Sequence, residues 1–248
     1  MARVLTVAMA PPLLREPEDK VWIVVDVLRA SSTLVTLLDQ GCEKVLVART
    51  IAQARRMAEE QNAVLIGEIN GVPPHGFDYG NSPRELIGIP FWGREIVLKT
   101  SNGTVALHKV RNAQAVLVGC ALNASACCRA ALELARQGGW GVGVLCSGSS
   151  RGFALDDGAC AGFLVTILLS MSEPEEFVPD DAAWAMRQLW QSYGSFEKPF
   201  ADSASGRRVI EIGDGGDLSF CARVDASVTV PYLVRAEPDS IVRWHPAP

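Results

Sequence analysis

Five acids, Asp26, Glu68, Asp78, Asp156 and Asp157, stand nearest the predicted carboxyl ends of strands. Carboxylates in that position suit a hard cation such as Mg²⁺, which takes oxygen ligands and keeps several waters, so two or three converging acids suffice. Asp156 and Asp157 have a plainer alternative use, because acids at the start of a helix are favoured by its dipole. Asp26 ends an apolar run, Val21 to Val25, and is followed closely by Arg29 and the hydroxyls Ser31, Ser32 and Thr33. Arg29 offers a planar fork that matches phosphate or carboxylate. A helix starting at those hydroxyls would turn free N–H groups and partial positive charge toward an anion. The structural alternative is that Asp26 caps the helix and Arg29 pairs with a surface acid.

Three further corners carry small polar donors. Asn81-Ser82 and Thr100-Ser101-Asn102-Gly103-Thr104 could present amides and hydroxyls to an anion, or serve only as turn formers. Gly148-Ser149-Ser150-Arg151-Gly152 matches the G-x-S-x-G elbow of serine hydrolases, with Ser150 as the nucleophile. That mechanism needs a later histidine, and the one that follows is His245, three residues from the end of the sequence. His75 and His108 are isolated, and neither G-x-G-x-x-G after a strand nor G-x-x-x-x-G-K-S/T occurs, which disfavours dinucleotide and P-loop nucleotide binding.

Elements able to position these corners follow from the pattern of apolar residues. Strands are predicted at Arg3–Met9, Val21–Val25, Lys44–Val47, Val64–Ile66, Glu95–Lys99, Ala115–Val118 and Val142–Cys146, alternating with helices at Ser31–Gln40, Ile51–Glu60, about 104–110, Asn123–Arg136 and Ala159–Leu169. Residues 67–93 interrupt the rhythm with many Gly and Pro, a length that compact domains keep for function. After Ser170 come a helix with Trp184 and Trp190, a weakly patterned region from Ser203 to Asp225, and a strand at Val228–Val234. The alternation predicts a three-layer α/β/α architecture with a mainly parallel sheet. The 248 residues, 48% of them hydrophobic, suffice for one large unit or two lobes, about 1–110 and 111–248.

With 23 basic against 28 acidic residues the formal charge is −5 and no basic run occurs, so neither nucleic acid nor an anionic membrane is an expected partner. No signal-like or membrane-spanning stretch is visible, and a cytoplasmic protein is expected. The seven cysteines are odd in number and lack any C-x-x-C pair, which predicts free thiols.

Taken together and in order, Val25-Asp26-Val27-Leu28-Arg29-Ala30-Ser31, Gly67-Glu68, Gly76-Phe77-Asp78-Tyr79-Gly80-Asn81-Ser82-Pro83, Thr100-Ser101-Asn102-Gly103-Thr104 and Asp157-Gly158-Ala159-Cys160-Ala161-Gly162 resemble the 2-phosphosulfolactate phosphatases, the ComB family. The resemblance implies a Mg²⁺-dependent phosphoric monoester hydrolase acting on 2-phosphosulfolactate, a step of coenzyme M synthesis in methanogens, although relatives occur in bacteria that do not make that cofactor. It also implies two similar, intertwined α/β/α halves.

On that footing Asp26, Arg29 and Asn102 are the candidate catalytic residues, with Asp26 as general base or as nucleophile. Ser31, Ser32, Asn81, Ser82, Ser101, Gly103, Thr104 and Arg151 are candidates for substrate binding, and Glu68, Asp78 and Asp157 for the metal. Leu28 occupies the place of the second acid of haloacid-dehalogenase phosphatases, so that mechanism is not assigned. Ile69 and Val105 replace arginines usual in the family, and Asp156-Asp157 a common Glu-Asp pair. Fewer guanidiniums then remain for a substrate bearing phosphate, carboxylate and sulfonate: Arg29 and Arg151, with Arg207 and Arg208 further off. A serine hydrolase on Ser150, a small-anion-binding protein without turnover, and a homodimer all stay open.

Overall fold

The structure, a computed structural model, describes residues 2–15, 17–149, 152–237 and 239–246. Its strands are β1 (Arg3–Ala8), β2 (Lys20–Val25), β3 (Lys44–Val47), β4 (Val64–Gly67), β5 (Glu95–Lys99), β6 (Ala115–Val118), β7 (Gly141–Cys146), β8 (Phe177–Pro179), β9 (Pro231–Leu233) and β10 (Ser240–Arg243). They form one sheet in the order β4-β5-β3-β10-β9-β6-β2-β7-β1-β8. Two blocks are internally parallel: β4-β5-β3 on one side and β6-β2-β7-β1-β8 on the other. Between them β10 and β9 pair antiparallel with each other and with their outer neighbours β3 and β6, so the two blocks run in opposite directions.

The helices are α1 (Ala30–Asp39), α2 (Ile51–Gln61), α3 (Gly103–Val110), α4 (Ala124–Gly138), α5 (Leu155–Met171), α6 (Asp181–Tyr193), α7 (Glu197–Asp202), α8 (Ala204–Glu211) and α9 (Gly216–Cys221). Alternation along β2 sends Val21, Ile23 and Val25 to one face and Trp22 and Val24 to the other. The first face packs on α4 and α5 through residues such as Cys127, Ala131, Leu164 and Val165. The second packs on α1 and α3 through Leu34, Leu37, Leu38, Ala106, Leu107 and Val110. That same cluster takes in Val45, Val47, Val64, Ile66, Ile96 and Leu98 from the other block. Leu46, Leu65 and Val97 face the opposite way, toward Ala54 of α2.

The sheet therefore wraps α1 and α3, and both blocks bury apolar faces against them. This is a three-layer α/β/α arrangement in which one layer serves two stretches of sheet. Each leucine so buried contributes roughly 1.5–3 kcal/mol of transfer free energy before its ordering cost is subtracted.

Most predicted elements form where the pattern places them, and the differences have local causes. Helix α5 starts at Leu155, earlier than Ala159, with Asp156 and Asp157 in its first turn. The region from Ser203 to Asp225 holds α8 and α9, of eight and six residues. Both are shorter than the window of about 11–18 residues over which a helical period is read; the start of α8 is set by its cap, where Ser203 Oγ accepts from Gly206 N–H at 2.8 Å. The expected strand at Val228–Val234 shortens to β9, and β10 follows it. Among the described residues no helix is long and apolar enough to cross a membrane. All seven cysteines are buried free thiols.

Candidate active site

Wrapping brings strand ends of both blocks to the N-termini of α1 and α3. A cavity of about 400 Å³ opens there, lined by Asp26 and Arg29 after β2, Glu68, Asn70, Gly71 and Asn81 after β4, Ser101 and Asn102 after β5, Ser149 after β7, and Ser205, Arg208 and Val209 of α8. The polar wall comes from five separate segments.

Asp26 is fixed through its backbone. Its N–H donates to Ser31 Oγ at 2.8 Å, and its carbonyl accepts from Ser31 N–H at 2.8 Å. Its Oδ1 lies 3.4 Å from the Ala30 N–H, at the start of α1. Gly103, the first residue of α3, abuts the carboxylate: a Cβ there would stand 2.9 Å from Asp26 Oδ2 and 2.8 Å from Ala30 Cβ. Only a residue without a side chain lets the two helix starts meet around this acid. Glu68 closes a tight loop, accepting from Gly71 N–H at 2.7 Å, Ser101 N–H at 2.6 Å and Ser101 Oγ at 3.1 Å.

Two more acids sit behind this wall. Asp156 accepts from Ser205 Oγ at 3.2 Å. Asp157 accepts from Val27 N–H at 3.0 Å and Gly148 N–H at 2.8 Å, tying the β2 corner to the β7 corner. Burial, and then the charges of Glu68 and Asp156, push the Asp26 carboxyl up to about 7. Burial raises Asp156 to about 6. Asp157 is held well above the usual carboxylate range by burial, then by the charges of Asp156 and Asp26. These are effects of desolvation and like charge, of the kind that gather at functional sites.

Among the described residues none of the four acids forms an ion pair. Nor do three Asp, Glu, His or Cys side chains converge closely enough to hold a metal between them. The set fits a cation in a more open way: Asp26 and Glu68 share the cavity wall, and Mg²⁺ is commonly bound by one or two carboxylates, with waters and substrate phosphate completing its shell.

Several predicted site residues stand elsewhere. Asp78 does not line the cavity; its Oδ2 accepts from Leu65 N–H at 2.8 Å and its own N–H donates to Leu65, so it braces edge strand β4. Asp157 lies beneath the wall with both oxygens taken by backbone donors. Ser31, Ser32 and Thr104 spend their hydroxyls on nearby backbone, Ser32 Oγ on Val27 and Thr104 Oγ1 on Thr100. Gly103 makes room for Asp26. Ser82 donates to Asp217 Oδ1 at 2.8 Å. Of the predicted substrate-binding residues, Asn81 and Ser101 reach the wall, and the buried Asn81 Oδ1 has no hydrogen-bond partner among the described residues. Arg151 and Ser150 lie outside the described residues.

Arg29 has a different environment from the one expected. Its Nη1 donates to Asp214 Oδ2 at 2.5 Å and Asp217 Oδ2 at 2.8 Å, and its Nη2 to the Gly71 carbonyl at 2.9 Å. The guanidinium lines the cavity, but two carboxylates balance its charge. Sequence reasoning missed both acids, along with Asn70, Gly71 and Ser205; their distance along the chain gave no local signal. Ile69 and Val105 are exposed and do not line the cavity. His245 lines a separate groove beside Trp92 and Arg243.

A sequence profile described as 2-phosphosulpholactate phosphatase matches residues 9–236. A protein of Thermus thermophilus, named probable 2-phosphosulfolactate phosphatase, is 36% identical over 214 residues, covering 86% of this chain and 87% of its own. Proteins of the same name from Deinococcus radiodurans and Carboxydothermus hydrogenoformans are 34% identical over 216 residues and 33% over 228. The first covers 86% of this chain and 88% of its own; the second covers 92% of each.

Proposed function

This chain belongs to the 2-phosphosulpholactate phosphatase family, and we propose on that ground that it hydrolyses a small anionic phosphomonoester, 2-phosphosulfolactate, to sulfolactate and inorganic phosphate. The observation that carries the reading to a place on the molecule is the cavity where Asp26 and Glu68 meet the starts of α1 and α3.

Phosphoryl transfer asks a protein mainly for positioning and charge stabilisation. Glu68 is the residue that would hold Mg²⁺, with waters and substrate phosphate completing its shell, and the ion's chemistry would be to neutralise charge on the phosphoryl oxygens. Asn102 and Ser101 border the phosphoryl group, and Asn81 offers its amide from the facing loop. Asp26 takes the proton of the attacking water as the P–O ester bond breaks, and the alcohol leaves protonated by solvent. A carboxyl near 7 suits that role, since a general base works best with a pKa near the working pH. We therefore read Asp26 as base rather than as nucleophile.

The test is phosphate release from a panel of phosphomonoesters with Mg²⁺ and with a chelator, using the parent and Asp26→Asn. Release is expected from 2-phosphosulfolactate with Mg²⁺, with loss on chelation and a fall of roughly 10²–10⁴ in Asp26→Asn. Equal release with chelator would remove the cation from the reading. Activity of Asp26→Asn within about threefold of the parent, under 1 kcal/mol, would remove the base.

A further inference from the structure

Among the described residues two guanidiniums line the cavity, Arg29 and Arg208, and their situations differ. Arg29 is buried and held by two carboxylates and a carbonyl, so it adds little net charge for a ligand. Arg208 stands on α8 one turn after Ser205, with Val209 beside it, all three on the wall. Its Nε donates to the Asn70 carbonyl at 2.9 Å, which sets the plane of the guanidinium. Nη1 reaches Glu211 at 3.4 Å, between side chains 47% and 65% exposed, a pair that solvent screens heavily. Nη2 has no protein partner among the described residues.

Asn70 belongs to the loop that Glu68 closes through Gly71 N–H. The carbonyl that orients Arg208 is thus rigidly related to the carboxylate proposed to hold the cation. One part of the wall is acidic and suited to a cation with a phosphoryl group; α8 contributes a guanidinium oriented by Asn70, whose pairing with Glu211 is solvent-screened. A planar fork matches carboxylate and sulfonate oxygens two at a time. Ile69 and Val105, next to Glu68 and Thr104, are exposed apolar side chains, so they supply no cation for the non-reacting charge of a substrate.

We propose that Arg208 is a specificity-determining residue that binds the non-reacting anionic group of the substrate, so that the enzyme selects phosphomonoesters bearing a carboxylate or sulfonate near the ester carbon. The assignment rests on the phosphatase reading above. A substrate without the second anion gains no bond from the fork, so the two kinds of ester should differ in kcat/KM.

The experiment has two arms, each run on the parent, Arg208→Ala and Arg208→Lys. In the first, kcat/KM is measured with 2-phosphosulfolactate and with phenyl phosphate, an ester without a second anion. The ratio of the two should fall ten- to a hundred-fold in Arg208→Ala, mainly through KM for 2-phosphosulfolactate, and recover in part in Arg208→Lys. A ratio changed less than threefold overturns the proposal, since a purely structural role would slow both esters alike. In the second arm sulfolactate binding is measured by calorimetry in the presence of Mg²⁺ and phosphate, with no turnover. Binding at least ten-fold weaker in Arg208→Ala supports the assignment, and equal binding overturns it. If the parent hydrolyses neither ester the phosphatase reading fails, and the binding arm still decides the role of Arg208.

Discussion

Asp26 gives the sharpest expectation at the scale of one residue, because its raised carboxyl links stability to pH in a definite direction. An unfolded chain ionises this group near its ordinary value of 3.8, whereas the folded chain keeps the proton until about 7. In that window the folded state binds more protons, so its stability falls as pH rises. The contribution is fully present below 3.8 and is lost as pH rises through about 7; Asp156 acts in the same sense up to about 6. Metal-free protein should gain stability on acidification from pH 7.5 to 5, and Asp26→Asn should flatten the profile. Urea midpoints across that range would show it; a parent profile that climbs with pH would contradict it.

Arg29 gives the second expectation at this scale. Asp217 is fully buried and Arg29 nearly so, and removing one partner of a buried pair typically costs about 3–5 kcal/mol. Arg29→Ala should lose stability of that order, and Arg29→Lys, unable to reach all three partners, about 2 kcal/mol. Denaturation curves within about 0.5 kcal/mol of the parent, the range of an ordinary surface change, would show that the pairing contributes nothing. A clamp whose loss spares the fold is what the Asp26–Arg29 corner suggests when read alone. The acids that alter this picture lie on α9 and the turn before it, 185 and 188 residues further along the chain.

At the scale of elements the site depends on how closely α1 and α3 start. Gly103→Ala places a methyl against Ala30 Cβ and Asp26 Oδ2 at distances that require one of them to move. Overpacking of this kind costs about 1–3 kcal/mol. Since the group displaced is Asp26, turnover should fall by more than stability alone explains; full activity at a temperature where the variant is folded would refute this. The strand-to-helix corners were legible because a buried strand announces itself by an unbroken apolar run and a helix by its period. Helix α8 was not, since eight residues with a small apolar face resemble a loop, and so the Ser205–Arg208 side of the cavity could not be placed. Asp78 misled for a related reason: an acid in a Gly/Pro loop looks the same whether it faces a ligand or, as here, caps the N–H of a neighbouring strand.

At the scale of the molecule, the reversal at β9 and β10 has no signature in local pattern. A rule that ligands gather at the carboxyl edge of one parallel sheet foresees the convergence of Asp26, Glu68, Asp78, Asn102 and Asp157, of which Asp26, Glu68 and Asn102 line the cavity. Their meeting arises differently: two opposed parallel blocks wrap α1 and α3, and their loops face each other across the cavity. Binding at the proposed site must therefore involve both blocks at once. Hydrogen exchange followed by mass spectrometry, on the parent with Mg²⁺ and orthovanadate as a phosphoryl mimic, reads this directly. Slowed exchange is expected together in residues 26–31 of one block and in 68–71 and 101–104 of the other, with α8 joining them. Protection confined to one block, or centred on a surface away from Asp26 and Glu68, would contradict a phosphatase site between them.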